Sequence, residues 1–178
     1  NNVLNDGYKE ACDVWGSEAD LNVVDYVDLV QGADMVPQKF DILKSFVHNT
    51  DAPLIAIHQT SRSAGGEGKA MTISSGNYGG EQHATFMIGV RRKKSAIMAE
   101  LGEQRHKVER TGSDSAAERV AELEHDLAIA EYTVTANLVK NKRPGGQLVD
   151  EMDFELAQST GRIYQMEEGD LPRQYVAK

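Results

Sequence analysis

The sequence predicts an α/β fold: a mostly parallel sheet with flanking helices, an inserted charged helical hairpin and a closing β-hairpin. Three observations carry this expectation. The runs "LNVVDYVDLV" (21–30) and "PLIAI" (53–57) are apolar without clean alternation, as strands covered on both faces are. Between them Val36, Phe40, Leu43, Phe46 and Val47 recur at helical spacing. Strand, helix and strand in that order form the repeating unit of a parallel sheet.

Taken in order, the helix over 36–51 stops at Asn49, Thr50 and Asp51, with Pro53 beyond. A long glycine-rich loop follows the second strand, and "ATFMIGV" (84–90) reads as a third strand. The stretch "RRKKSAIMAELGEQRHKVERTGSDSAAERVAELEHDLA" is charged and poor in β-branched residues. It predicts a helical hairpin inserted over 95–128 and broken at Thr111, Gly112 and Ser113. Ser115 followed by Glu118 predicts a capping box for its second helix, whose apolar stripe is Val120, Leu123 and Leu127. The stripe is narrow, so the hairpin reads as a solvated projection, with a partner-binding helix as the alternative. "AEYTVTANLVK" alternates and puts Tyr132, Val134, Ala136 and Leu138 on one face. "DFELAQSTGRIYQ" predicts a hairpin turning at Ser159, Thr160 and Gly161, and the polar tail "MEEGDLPRQYVAK" is expected to be loose.

Composition narrows the class. With 178 residues, 40% of them hydrophobic and 26% charged, the chain suits one globular domain, here taken to span 1–178. A single cysteine, Cys12, excludes an internal disulfide and fits a reducing compartment. The longest apolar runs are about five residues, far short of a membrane span. No basic stretch leading into an apolar one opens the chain, so no secretion signal is expected and the protein reads as cytoplasmic. A net charge of −9 argues against a protein coated in nucleic acid but leaves room for a local basic groove. The chain begins at Asn1 and not at Met, which reads as a trimmed or missing upstream part of the same domain.

Several segments could carry chemistry. "SAGGEGKAMT" (63–72) has the glycines of a phosphate-cradling loop, but Ser63 stands where the first glycine is required and Ala70 follows Lys69 where Ser or Thr is required. That reading is rejected. Asp25 closes an apolar strand, and open α/β sheets bind ligands at the carboxyl ends of their strands. In nucleotide hydrolases such a carboxylate holds magnesium. Asp28, past the strand's apolar core, is the weaker choice. Gln59 occupies the equivalent place after the next strand, where a neutral amide could sense a γ-phosphate or orient water, or simply cap the strand; His58 and Arg62 lie beside it. His48, His83, His106 and His125 show no metal-ligand spacing with one another or with Cys12. "KNKRPGG" (140–146) sets Lys140, Lys142 and Arg143 before a rigid corner, either as a solvated turn or as cations aimed at phosphate.

The order of these segments resembles the carboxyl-terminal part of the RecA-like ATPase core of DnaB-type replicative helicases, phage versions included. "VVDYVDL" is similar to that family's Walker B strand, apolar-Asp-Tyr-apolar. "IHQTSRS" is similar to its strand ending Ser-Gln-x-x-Arg, and "GGEQHATFMI" to its Glu-Gln-x-Ala segment. "KNKRPGG" is similar to its Lys-x-Arg-x-x-Gly finger, and "FELAQSTGRIYQ" to its closing strand pair. The likeness covers most of 18–165 apart from the charged insertion. It implies a RecA-like fold in which Asp25 is the magnesium-associated carboxylate and Gln59 the sensor linking nucleotide to DNA. Residues 62–80 would be the DNA-facing loop, with Arg62 and Lys69 supplying its charge. Lys140, Lys142 and Arg143 would act in trans on the neighbouring subunit's γ-phosphate. ATP and Mg2+ as cofactors, single-stranded DNA as substrate, a hexameric homo-oligomer, no membrane and the cytoplasm of a bacterial or phage-infected cell follow from the same resemblance. Two departures stand out. Lys142 holds the place of the finger arginine, and lysine lacks the planar guanidinium fork. The family's Walker A loop and catalytic glutamate lie upstream of the Walker B strand, outside these residues, so this chain alone is not expected to hydrolyse ATP efficiently. A RecA/KaiC-like recombination ATPase forming filaments and a non-catalytic module docking through the 95–128 hairpin are the alternatives.

Overall fold

A computed structural model describes residues 3–59, 80–167 and 169–176. Among them no helix is long and apolar enough to cross a membrane. The chain is mixed α/β and divides into two compact units.

The first unit opens with helix α1 (Val3–Trp15), which ends where Gly16 takes φ +71° and donates its N–H to the Cys12 carbonyl at 2.7 Å. Strand β1 (Asn22–Asp25) runs into a 3₁₀ turn (Val27–Leu29). Helix α2 (Val36–Thr50) starts with Pro37 in its first turn, where the missing N–H costs nothing, and closes on a left-handed Asp51. Strand β2 (Leu54–Ile57) pairs in parallel with β1, Val23 opposite Ile55 and Asp25 opposite Ile57. A short helix, α3 (Gly80–His83), completes the unit. Its core is Val27, Val30 and Leu43, packed by Leu4, Val24, Phe40, Ile42 and Leu54. An edge-to-face contact between Tyr8 and Phe46, centroids 5.7 Å apart, ties α1 to α2.

β1 and β2 depart from the expected strands covered on both faces. Val24 and Leu54 turn toward the core, but Val23 is 59% and Ile55 52% exposed. The reason is local: the sheet of this unit has two strands, and the helical residues of its core lie on the Val24–Leu54 side.

The second unit contains β3 (Phe86–Arg91), α4 (Lys94–Thr111), α5 (Asp114–Ala130), β4 (Thr133–Asn141), β5 (Val149–Ala157), β6 (Arg162–Gln165) and α6 (Arg173–Val176). Its four strands lie in chain order and every pair is antiparallel. Among the described residues the parallel pairing expected from the sequence is therefore confined to β1 and β2. Short turns join β4 to β5 and β5 to β6, and such turns permit only antiparallel pairing. Between β3 and β4 the paired helices α4 and α5 bring the chain back to where it left the sheet, so β4 returns along β3.

The helical hairpin forms where it was expected. Gly112 at φ +62° makes the break, and Leu101, Ala116, Leu123 and Ala130 are buried. Arg105–Glu124 at 2.7 Å and Arg119–Glu100 at 2.9 Å bridge the two helices. The capping box at Ser115 is not present. The chain leaves Gly112 so that Ser113 is the extended N-cap residue and Asp114 is already helical, and Ser115 lies inside the first turn with its hydroxyl 3.0 Å from that of Ser113.

The alternating residues of β4 divide by burial, with Tyr132 just before the strand buried as well. Thr133 and Thr135 are buried, whereas Val134, Ala136 and Leu138 are only half-buried. Thr133 and Thr135 sit opposite Glu155 and Asp153 on a polar face with Arg91. The polar groups there find partners: Thr135 donates to Asp153 at 2.5 Å, Lys93 lies 3.3 Å from both Glu151 and Asp153, and Arg91 pairs with Glu151. The hairpin of β5 and β6 turns as expected, with Gly161 at φ +67°. The tail, expected to be loose, is held instead. Pro172 is fully buried, and Glu155, 3% exposed, accepts the Gln174 backbone N–H at 3.1 Å.

Candidate active site

Parallel pairing brings the first two candidates to one edge. The β1–β2 ladder ends at Asp25 opposite Ile57, and Gln59 follows two residues after Ile57, so both leave the sheet at its carboxyl edge. Both side chains are exposed. Asp25 therefore does not point into the packed Val27–Leu43 layer, and its carboxylate meets solvent. The Asp25–Tyr26 peptide is cis.

Two residues that the sequence ranked below Asp25 and Gln59 meet around this edge. The Asp28 carboxylate, in the 3₁₀ turn after β1, lies 3.3 Å from His58 Nδ1, which directly follows β2. The His58 ring stands edge-to-face on Phe40 with centroids 5.8 Å apart, and Lys39 donates its ammonium to the Asp28 carbonyl. Nothing in spacing alone signals this pair, because Asp28 and His58 meet only once β1 and β2 are aligned side by side.

The three cations belong to the second unit. Lys140 and Asn141 end β4, and Lys142 and Arg143 begin the turn beyond it. The Lys142 N–H donates to the Thr85 carbonyl at 3.0 Å, and the Arg143 N–H to the Asn141 side chain at 3.1 Å. The Arg143 guanidinium lies over the Phe86 ring at 5.2 Å, a cation–π contact that orients the planar fork. Phe86, which the sequence offered only as part of a strand, thus bears on the choice between Lys142 and Arg143. Arg62 and Lys69 lie outside the described residues.

Among the described residues no group of three or more His, Cys, Asp or Glu is arranged to hold a metal ion. That donor set does not make an all-protein cage. A lone exposed carboxylate does fit magnesium, which keeps several waters and takes one or two carboxylates together with substrate phosphates. A depression of about 740 Å³ runs along α4 between Glu103, Gln104, His106, Lys107, Glu109 and Arg110. It is the solvated face of a charged helix, remote in sequence from every candidate.

No protein-family model matches the chain, and no curated protein matches it.

Proposed function

We propose that this chain is part of the motor of a DnaB-type helicase, a RecA-like ATPase that moves along single-stranded DNA as a ring. The observation that carries the reading is the parallel register of β1 and β2, which sets an exposed carboxylate and an exposed amide on the same strand-end edge. In this reading Asp25 holds magnesium through water, and Gln59 reports the state of the γ-phosphate to the loop that follows it. Magnesium bound with ATP would neutralise charge developing on the transferred phosphoryl group. Arg143, oriented by Phe86, reaches the nucleotide of the adjacent subunit, with Lys140 and Lys142 adding charge. Arg62 and Lys69 hold DNA phosphates.

The test is Asp25→Asn in the intact protein. It should abolish DNA-stimulated ATP turnover while leaving assembly unchanged by size-exclusion chromatography. Normal turnover in that variant removes Asp25 from the site and ends the reading.

A further inference from the structure

We infer that His58 and Asp28 form a brace that positions Gln59 relative to Asp25; the inference rests on the ATPase reading above. The backbone ladder between β1 and β2 ends at Asp25 opposite Ile57. Gln59 therefore lies past the last backbone tie between the two strands, and something else has to hold it in register. The side chains of Asp28 and His58 come together just beyond it, Oδ2 lying 3.3 Å from Nδ1.

Each end of that tie is itself anchored. Asp28 sits in a 3₁₀ turn closed by Leu29 N–H to the Tyr26 carbonyl and Val30 N–H to the Val27 carbonyl, both at 3.0 Å. Val27, which opens this turn, is fully buried. Lys39 of α2 grips the Asp28 carbonyl. At the other end His58, 16% exposed, rests against Phe40 of the same helix. The turn that follows Asp25 and the residue that precedes Gln59 are thus held to one helix and to each other. Small displacements of a reacting or sensing group cost large factors in rate, so a brace one residue from Gln59 acts on turnover without touching nucleotide. His58 and Asp28 are positioning residues in this scheme, not catalytic ones.

The experiment uses the intact protein, ATP and a thymidine homopolymer as the single-stranded DNA. Asp28→Asn and His58→Gln are each expected to lower kcat in the presence of DNA about tenfold with KM for ATP unchanged. The double variant is expected to fall no further than either single one, since the two act as one unit. Asp28→Glu, which keeps the carboxylate, is expected to restore most of the turnover. Asp25→Asn is run beside them. If it is inactive while Asp28→Asn and His58→Gln keep the parental kcat, the brace is overturned and the ATPase reading stands. If Asp25→Asn turns over normally, the ATPase reading falls and takes the brace with it. Loss of cooperative thermal unfolding in Asp28→Asn, or a rise in KM equal to the fall in kcat, also overturns the proposal, because the pair would then serve only to fold the unit.

Discussion

At the scale of single residues, geometry separates groups that the sequence presents as equals. Lys142 and Arg143 are adjacent cations, but only a guanidinium combines a planar fork with stacking on an aromatic face, and Arg143 lies over Phe86. Arg143→Ala is accordingly expected to lower ATP turnover of the intact protein about a thousandfold, and Lys142→Ala far less. Steady-state assays of the two variants side by side check this, and equal losses would contradict it. Asp25 and Gln59 were legible as candidates because each ends an apolar run. Asp28 and His58 were not, since a contact between residues thirty positions apart depends on which strands become neighbours.

At the scale of elements, the helices were the most legible parts. Both α2 and the α4–α5 hairpin follow their periodicity and their stop signals, which are local properties of the chain. Faces and tails were less so. β4 buries Thr133 and Thr135 because the groups opposite them, Asp153 and Glu155, find partners of their own. The tail is held by Glu155 for a similar reason. Burial pushes the Glu155 carboxyl upward, but hydrogen bonds from the Gln174 and Arg173 backbone, the Gln174 side chain and the charge of Arg173 outweigh it, and the net direction is downward. A carboxyl held below its unfolded value adds stability that is full above the ordinary glutamate range, about 4.3, and is lost as pH falls through the lowered value. The docking of α6 is therefore expected to persist at pH 5 to 8 (roughly the neutral plateau) and to loosen in more acid solution. Glu155→Ala should remove that pH dependence and cost about 1–3 kcal/mol, by leaving the Gln174 donors unpaired. Chemical denaturation across pH, with amide exchange at 173–176, measures both effects.

At the scale of the whole molecule, the charge balance bears on the proposed helicase reading. Under that reading a net charge of −9 confines attraction for DNA to local cations and makes it sensitive to salt. Lys69→Ala or Arg62→Ala in the intact protein should each reduce the slope of log affinity for a thymidine homopolymer against log salt by about 0.7. Fluorescence anisotropy across a salt series reads that slope, and an unchanged slope in both variants would remove these residues from the DNA path. The sequence by itself determined the kinds of the main elements from β1 to β6 apart from the short α3, the break at Gly112, the turn at Gly161 and the two polar residues that close the parallel strands, but not α1 or α6. These depend on periodicity, caps and turn chemistry within a few residues. Only the tertiary structure decided that the larger sheet is antiparallel, that the threonine face of β4 is the buried one, that Arg143 rests on Phe86 and that His58 meets Asp28. Each of these is a choice between distant partners, made by packing and by the need of buried polar groups for company, and a linear pattern carries no term for it.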